Sequence, residues 1–250
     1  MSPLQIDKLV AHSSHLLTAF IQLRERYALL HPMLFDERVA KQYGSRKQAR
    51  GYAILKASLF LSCCQDVAKL TTDNFEKTPS ISKLMGTVQD PIVRSQLRRR
   101  YCEGRSMYAH EKDSELEAVY RQMALRDDEL HGAEFDEKYA HAAKLWEEFV
   151  QSSVLKSFRH IRDKVTAHTE LQFVDGEYVP VDISKLGIKW GNLQTTIATM
   201  QQLVEMLGQL IRDAGFAWQS LDEMLERASN DFWQDRTVGT LPVPDQSNHA

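Results

Sequence analysis

Apolar residues recur along most of this chain at steps of three and four, the spacing that collects them on one face of an α-helix. The clearest run lies near the C-terminus, where Leu193, Ile197, Met200, Val204, Leu207 and Ile211 alternate steps of four and three. That heptad-like seam predicts a long helix from about 190 onward, laid against a neighbour. Gly208 and Gly215 weaken the run locally, while Trp218, Leu221, Leu225 and Trp233 extend it. A first helix is predicted over about 5–30, ending before His31-Pro32, because proline lacks an N–H and its ring clashes with the preceding turn. A second, over about 46–70, is apolar or small nearly all round from Ala53 to Ala68, as expected of a central helix covered on several sides.

Two shorter helices are predicted near 80–85 and 91–102. The charged stretch 111–151 carries Val119, Met123, Tyr139, Trp146 and Phe149, and reads as two helices parted near His131-Gly132. A helix over about 152–169 follows, and there the helical patterning stops. Between 170 and 183, apolar and polar residues alternate on either side of Asp175-Gly176, the turn chemistry of a short β-hairpin. From Thr237 no core pattern remains. The expected fold class is therefore all-α: one helical domain over 1–236 with a small β-hairpin insertion near 170–183, and a flexible tail over 237–250.

Composition narrows the function. The chain has 250 residues, 43% of them hydrophobic, and no Gly/Ser-rich linker, which suits one sizeable core. Lys and Arg total 31 against 34 Asp and Glu, a formal net charge of -3, so the global field offers no general attraction to nucleic acid and any such contact must be local. Basic residues gather at Arg94, Arg98, Arg99, Arg100 and Arg105, which makes Arg98, Arg99 and Arg100 candidates for phosphate or RNA contact. The three cysteines, adjacent Cys63 and Cys64 with Cys102 apart, have neither disulfide nor zinc spacing. With no signal-peptide layout and no apolar run of membrane-spanning length, a cytoplasmic location is expected.

The densest chemistry lies in the helix predicted over 152–169. Phe158, Ile161, Val165 and His168 share one face, so a titratable imidazole continues an apolar row. Arg162 precedes His168 by six residues, roughly 600° of rotation at about 100° per residue, leaving the two side chains about 120° apart on an α-helix. Arg26 with His31, Arg105 with His110 and Arg126 with His131 also set a His after an Arg, with a four-residue gap against the five-residue gap here. What sets the later pair apart is its context: Ile161 before the Arg, polar Asp163 after it, Ala167 before the His, and the apolar stripe leading in.

The segment Arg162-Asp163-Lys164-Val165-Thr166-Ala167-His168 resembles the hallmark of the HEPN superfamily, an Arg followed by a polar residue and, several positions later, a His near the end of a core helix. Its setting, after an apolar second helix and a charged middle, resembles the abortive-infection (phage-defence) type. The resemblance implies a HEPN-like helical bundle that forms a homodimer, with two motifs meeting in one cleft. It further implies a metal-independent endoribonuclease or toxin that activates a ribose 2′-hydroxyl and leaves 2′,3′-cyclic phosphate ends, with no cofactor.

In that reading His168 exchanges protons, which its unperturbed pKa near 6.5 allows at neutral pH, contributing about 10²–10⁴-fold. Arg162 stabilises the transition-state charge and Asp163 orients its neighbours. Thr169 is a weaker candidate for an RNA contact. RNA is the expected substrate, and a separate antitoxin of nucleotidyltransferase type the expected silencing partner. The alternative is a non-catalytic HEPN dimer that binds a nucleotide or a protein. A carboxylate-bridged metal site in the bundle is disfavoured, because Asp128 with His131 and Glu137 with His141 lack the matching partner glutamates.

Overall fold

A computed structural model describes residues 3–73, 75, 77–105, 117–166, 171–174, 177–180 and 188–234. The class is all-α. The helices are α1 (Pro3–Phe35), α2 (Glu37–Tyr43), α3 (Ala49–Thr72), α4 (Ile81–Gln89), α5 (Pro91–Arg105), α6 (Glu117–Gln151), α7 (Ser153–Ile161), α8 (Trp190–Arg212) and α9 (Trp218–Trp233). Leu171–Val174 and Glu177–Pro180 pair as a two-stranded antiparallel ladder, with Leu171 opposite Pro180 and Val174 opposite Glu177. The Asp175-Gly176 turn and the 237–250 tail lie outside the described residues.

Helices α1 and α8 pack along each other, and α3 lies against both. The seam on α8 is buried throughout, from Leu193 to Ile211, and α1 answers it with Leu9, Leu16, Phe20, Leu23 and Leu30. The core continues into α3 through Phe60, Cys63, Cys64 and Val67. Only the second half of α3 is covered, however: Ile54 and Leu55 are exposed, so the expectation of a helix enclosed along its length holds for its C-terminal part alone.

Two predicted breaks are absent, each for a tertiary reason. Helix α1 runs through Pro32 to Phe35 instead of ending near residue 30. Pro32 cannot donate to Ala28 O, but Ser229 Oγ on α9 donates to that carbonyl at 2.7 Å. Trp233 Nε1, one turn further along α9, donates to Leu29 O at 3.0 Å. The chain then turns at Asp36, whose side chain accepts the Arg38 N–H at 2.8 Å and caps α2, a helix the patterning did not predict.

Likewise, 117–151 form one helix through Gly132 rather than two parted there. A Cβ at position 132 would lie 1.9 Å from Arg98 Nη2, so the glycine gives passage to a guanidinium from α5 and is not a breaker. The second half of α6 buries Phe135, Ala142, Trp146 and Phe149, whereas Val119, Met123, Leu125 and Leu130 in its first half are exposed.

Candidate functional site

The motif follows α7. Ser152 caps that helix by accepting the Leu155 N–H at 3.3 Å, and Leu155, Phe158 and Ile161 are each fully buried, which locks the α7 face towards the core. Helix α7 and the residues after it pack against α3. From Arg162 the winding changes: Arg162–Thr166 form a π-helical turn, and the Arg162 N–H reaches both Phe158 O and Arg159 O at the junction. The 152–169 segment is therefore not one α-helix. A π-turn winds fewer degrees per residue than an α-turn, so the 120° separation expected between Arg162 and His168 does not apply. Single π-turns inside helices occur frequently at functional sites.

The structure brings Arg162 and Asp163 together. Arg162 Nε donates to Asp163 Oδ1 at 2.7 Å, with the Arg side chain 29% exposed and the Asp 52%. Adjacent residues in a regular α-helix point about 100° apart, and the bond between these two holds the guanidinium at the rim of the core instead of extended into water. Such a cation is fixed in direction and fit to meet a phosphate oxygen. His168 and Thr169, together with the side chain of Val165, lie outside the described residues.

The arginines of α5 are distributed differently. Arg98 Nε donates to Asp136 Oδ2 on α6 at 3.1 Å, Arg99 lies 3.6 Å from Glu103, and Arg100 is exposed. Three consecutive residues on a helix face three directions, so Arg98, Arg99 and Arg100 do not form one patch. Arg94 lies over the Tyr139 ring, 4.6 Å from its centre. Arg105 reaches Glu134 at 3.1 Å and Asp213 at 2.7 Å. The charged α6 thus takes up much of this cluster in ion pairs between helices. Lys138 also bonds Glu134 and donates to Tyr101 Oη at 2.9 Å, and with Lys138 as the foremost cause the Glu134 carboxyl is held down at about 2.

A different set of cations is gathered where the sequence reading placed no candidate. Lys8, His12, His15 and Arg26 on α1 face Lys69 near the end of α3 and Lys77 in the following loop across a groove of about 820 Å³. The available signal was the spacing of Lys8, His12 and His15 at i, i+4 and i+7, one face of α1. The thiols are unsuited to nucleophilic work: burial pushes Cys63 up to about 12 and raises Cys64 as well. Among the described residues no group of three or more His, Cys, Asp or Glu side chains is placed to hold a metal ion. No described helix is long and apolar enough to cross a membrane.

Comparison with curated proteins and with solved structures finds no match to the chain. A protein-family model does match: HEPN_AbiU2, described as AbiU2, over residues 6–232. That span runs from α1 to the last turn of α9 and includes Arg162, Asp163 and His168, so the chain belongs to this HEPN-type abortive-infection family.

Proposed function

We propose that the protein is a metal-independent endoribonuclease acting in phage defence, in which two copies related by a two-fold axis set their Arg162/His168 motifs about one cleft. The observation that carries this reading is the Arg162–Asp163 pair, a part-buried arginine bonded to an exposed aspartate at a π-turn that continues a core helix. Exposed Ile54 and Leu55 on α3, the helix against which that turn packs, are apolar surface that a second copy would cover and so support a dimer.

In the reaction, His168 takes the proton of a ribose 2′-hydroxyl and the 2′-oxygen attacks the adjacent phosphorus. The P–O5′ bond then breaks and the 5′-oxygen takes its proton from the His168 imidazolium, giving 2′,3′-cyclic phosphate and 5′-hydroxyl ends. Arg162 donates to the phosphoryl oxygens, whose negative charge grows in the transition state. Removing one donor of that kind costs about 10²–10³-fold. Asp163 acts through Arg162, as a positioning residue. Regulation by a separate silencing protein of nucleotidyltransferase type belongs to the same proposal.

The test is incubation of the wild type, Arg162→Ala and His168→Ala with total bacterial RNA in excess chelator. Cutting by the wild type that leaves 2′,3′-cyclic ends, and its loss in both variants with the dimer retained, is the expected result. No cutting, or equal cutting by a dimeric His168→Ala protein, overturns the nuclease and leaves a binding module.

A further inference from the structure

The groove between α1 and the end of α3 is strongly cationic in a chain whose net charge is -3. Four permanent cations line it, Lys8, Arg26, Lys69 and Lys77, together with His12 and His15. Among the described residues of the lining the one carboxylate, Asp66, is engaged by Arg26, whose Nη1 donates to it at 2.7 Å. From Lys8 to Arg26 these side chains follow α1 for about 27 Å at about 1.5 Å per residue. Thr18, Gln22 and Thr78 add neutral hydrogen-bonding groups along the floor and rim.

Among the described residues no Phe, Tyr or Trp ring lines the groove, so the flat groups it offers a base are the imidazoles of His12 and His15 and the Arg26 guanidinium, and its cations outnumber them as contacts for phosphate. Its chemistry is that of a backbone track: spaced cations and hydroxyls, extended in one direction, for a polyanion read without regard to base. A length of about 27 Å accommodates on the order of 4–8 nucleotides of a single strand, in the range of non-specific single-strand sites. The field within it is already felt by His12, whose pKa is lowered first by burial and then by Lys83 on α4 and by Lys8 and His15 on its own helix. A phosphodiester in the groove would offset those cations.

We propose that this groove binds the sugar-phosphate backbone of single-stranded RNA, as the track that holds the substrate of the nuclease proposed above. The inference rests on that reading for the identity of the polyanion, but its test is a binding measurement that requires no cleavage. Lys8, Lys69 and Lys77 are all exposed and can be removed without opening the core.

The measurement is fluorescence anisotropy of a labelled, fully 2′-O-methylated single-stranded RNA, which cannot be cut through its 2′-oxygen, titrated from about 50 to 200 mM salt. Three proteins are compared: the wild type, a Lys8→Ala/Lys69→Ala/Lys77→Ala triple variant, and a control triple, Lys41→Ala/Lys144→Ala/Arg227→Ala. The control loses the same charge at exposed sites outside the groove.

The groove variant is expected to bind at least about tenfold more weakly at 100 mM salt. Its dependence of log affinity on log salt should be shallower by about 2, since each phosphate contact on a single strand contributes about 0.7. The control should follow the wild type. Equal binding by the groove and control variants overturns the proposal, as does loss of equal size in both. An Arg162→Ala protein that fails to cut but still binds the methylated strand through the groove leaves this inference standing, and wild-type protein that binds there without cutting RNA refutes the nuclease alone.

Discussion

Helix α1 crosses Pro32 because α9 supplies the hydrogen bond that proline cannot, and this can be tested with a double-mutant cycle. Ala28 O accepts from Ser229 Oγ at 2.7 Å, and Ser229 is 5% exposed. Ser229→Ala removes a single oxygen and strands the carbonyl. A buried unsatisfied group costs about 1–3 kcal/mol. Ala28 is only half-buried and borders a cavity of about 790 Å³ that also touches Pro32 and Ser229, so water can recover part of that loss. The expected cost in the native background is therefore about 1–2 kcal/mol, or roughly 2–8 °C in Tm at about 2–4 °C per kcal/mol for a chain approaching this size.

In a Pro32→Ala background the new N–H at position 32 bonds Ala28 O through the helix itself, and Ser229→Ala should cost less than about 0.5 kcal/mol. The coupling between the two sites is then about 1 kcal/mol, larger than the scatter of independent mutations. Urea denaturation of the wild type, both single variants and the double variant measures it. The cycle isolates the pair from the general gain of replacing a helical proline, which both Pro32→Ala proteins share. An equal cost of Ser229→Ala in the two backgrounds would refute the reasoning and leave the passage of α1 through Pro32 without this explanation.

Two further outcomes follow from the α5–α6 contact. Gly132→Ala should be near neutral in the native protein, because a helix-propensity gain of up to about 1 kcal/mol is offset when the new Cβ displaces the Arg98 guanidinium from Asp136. In an Arg98→Ala background the same change should stabilise by about 0.5–1 kcal/mol, and thermal melts that show no difference between backgrounds would contradict the close-approach reading. For Glu134, with its carboxyl held at about 2 against an ordinary 4.5, the stabilisation it contributes is full above about 4.5 and lost as pH falls towards 2. The Tm gap between wild type and Glu134→Gln should accordingly close over that window, and a gap unchanged with pH would show that the ion pairs of Glu134 with Arg105 and Lys138 add nothing.

Much of the fold was legible because it depends on local order in the chain. The α8 seam and the α7 stripe from Phe158 to Ile161 are periodic in sequence and buried in the structure. Ser80 and Ser152 sit immediately before their helices as caps. The candidate motif could be read for the same reason, since Arg162, Asp163 and His168 lie within one short segment. The π-turn was not, since Arg162–Thr166 contain no glycine or proline to announce a change of winding. The cationic groove was hidden as well, because its charges come from α1, α3 and the loop after it, separated by tens of residues.

By itself, then, the sequence determined where most of the long helices lie, which face of each is apolar, and that Arg162 and Asp163 directly follow the apolar stripe of α7. These are consequences of periodicity and of capping within a turn or two of chain. Tertiary structure alone decided whether Pro32 and Gly132 interrupt their helices, because the deciding groups, Ser229 and Arg98, arrive from α9 and α5. It also decided which cations gather around the groove between α1 and α3 and which are drawn into the contact between α5 and α6. Charge is written in the sequence residue by residue, but whether it is paired depends on what the fold places within a few ångströms of it.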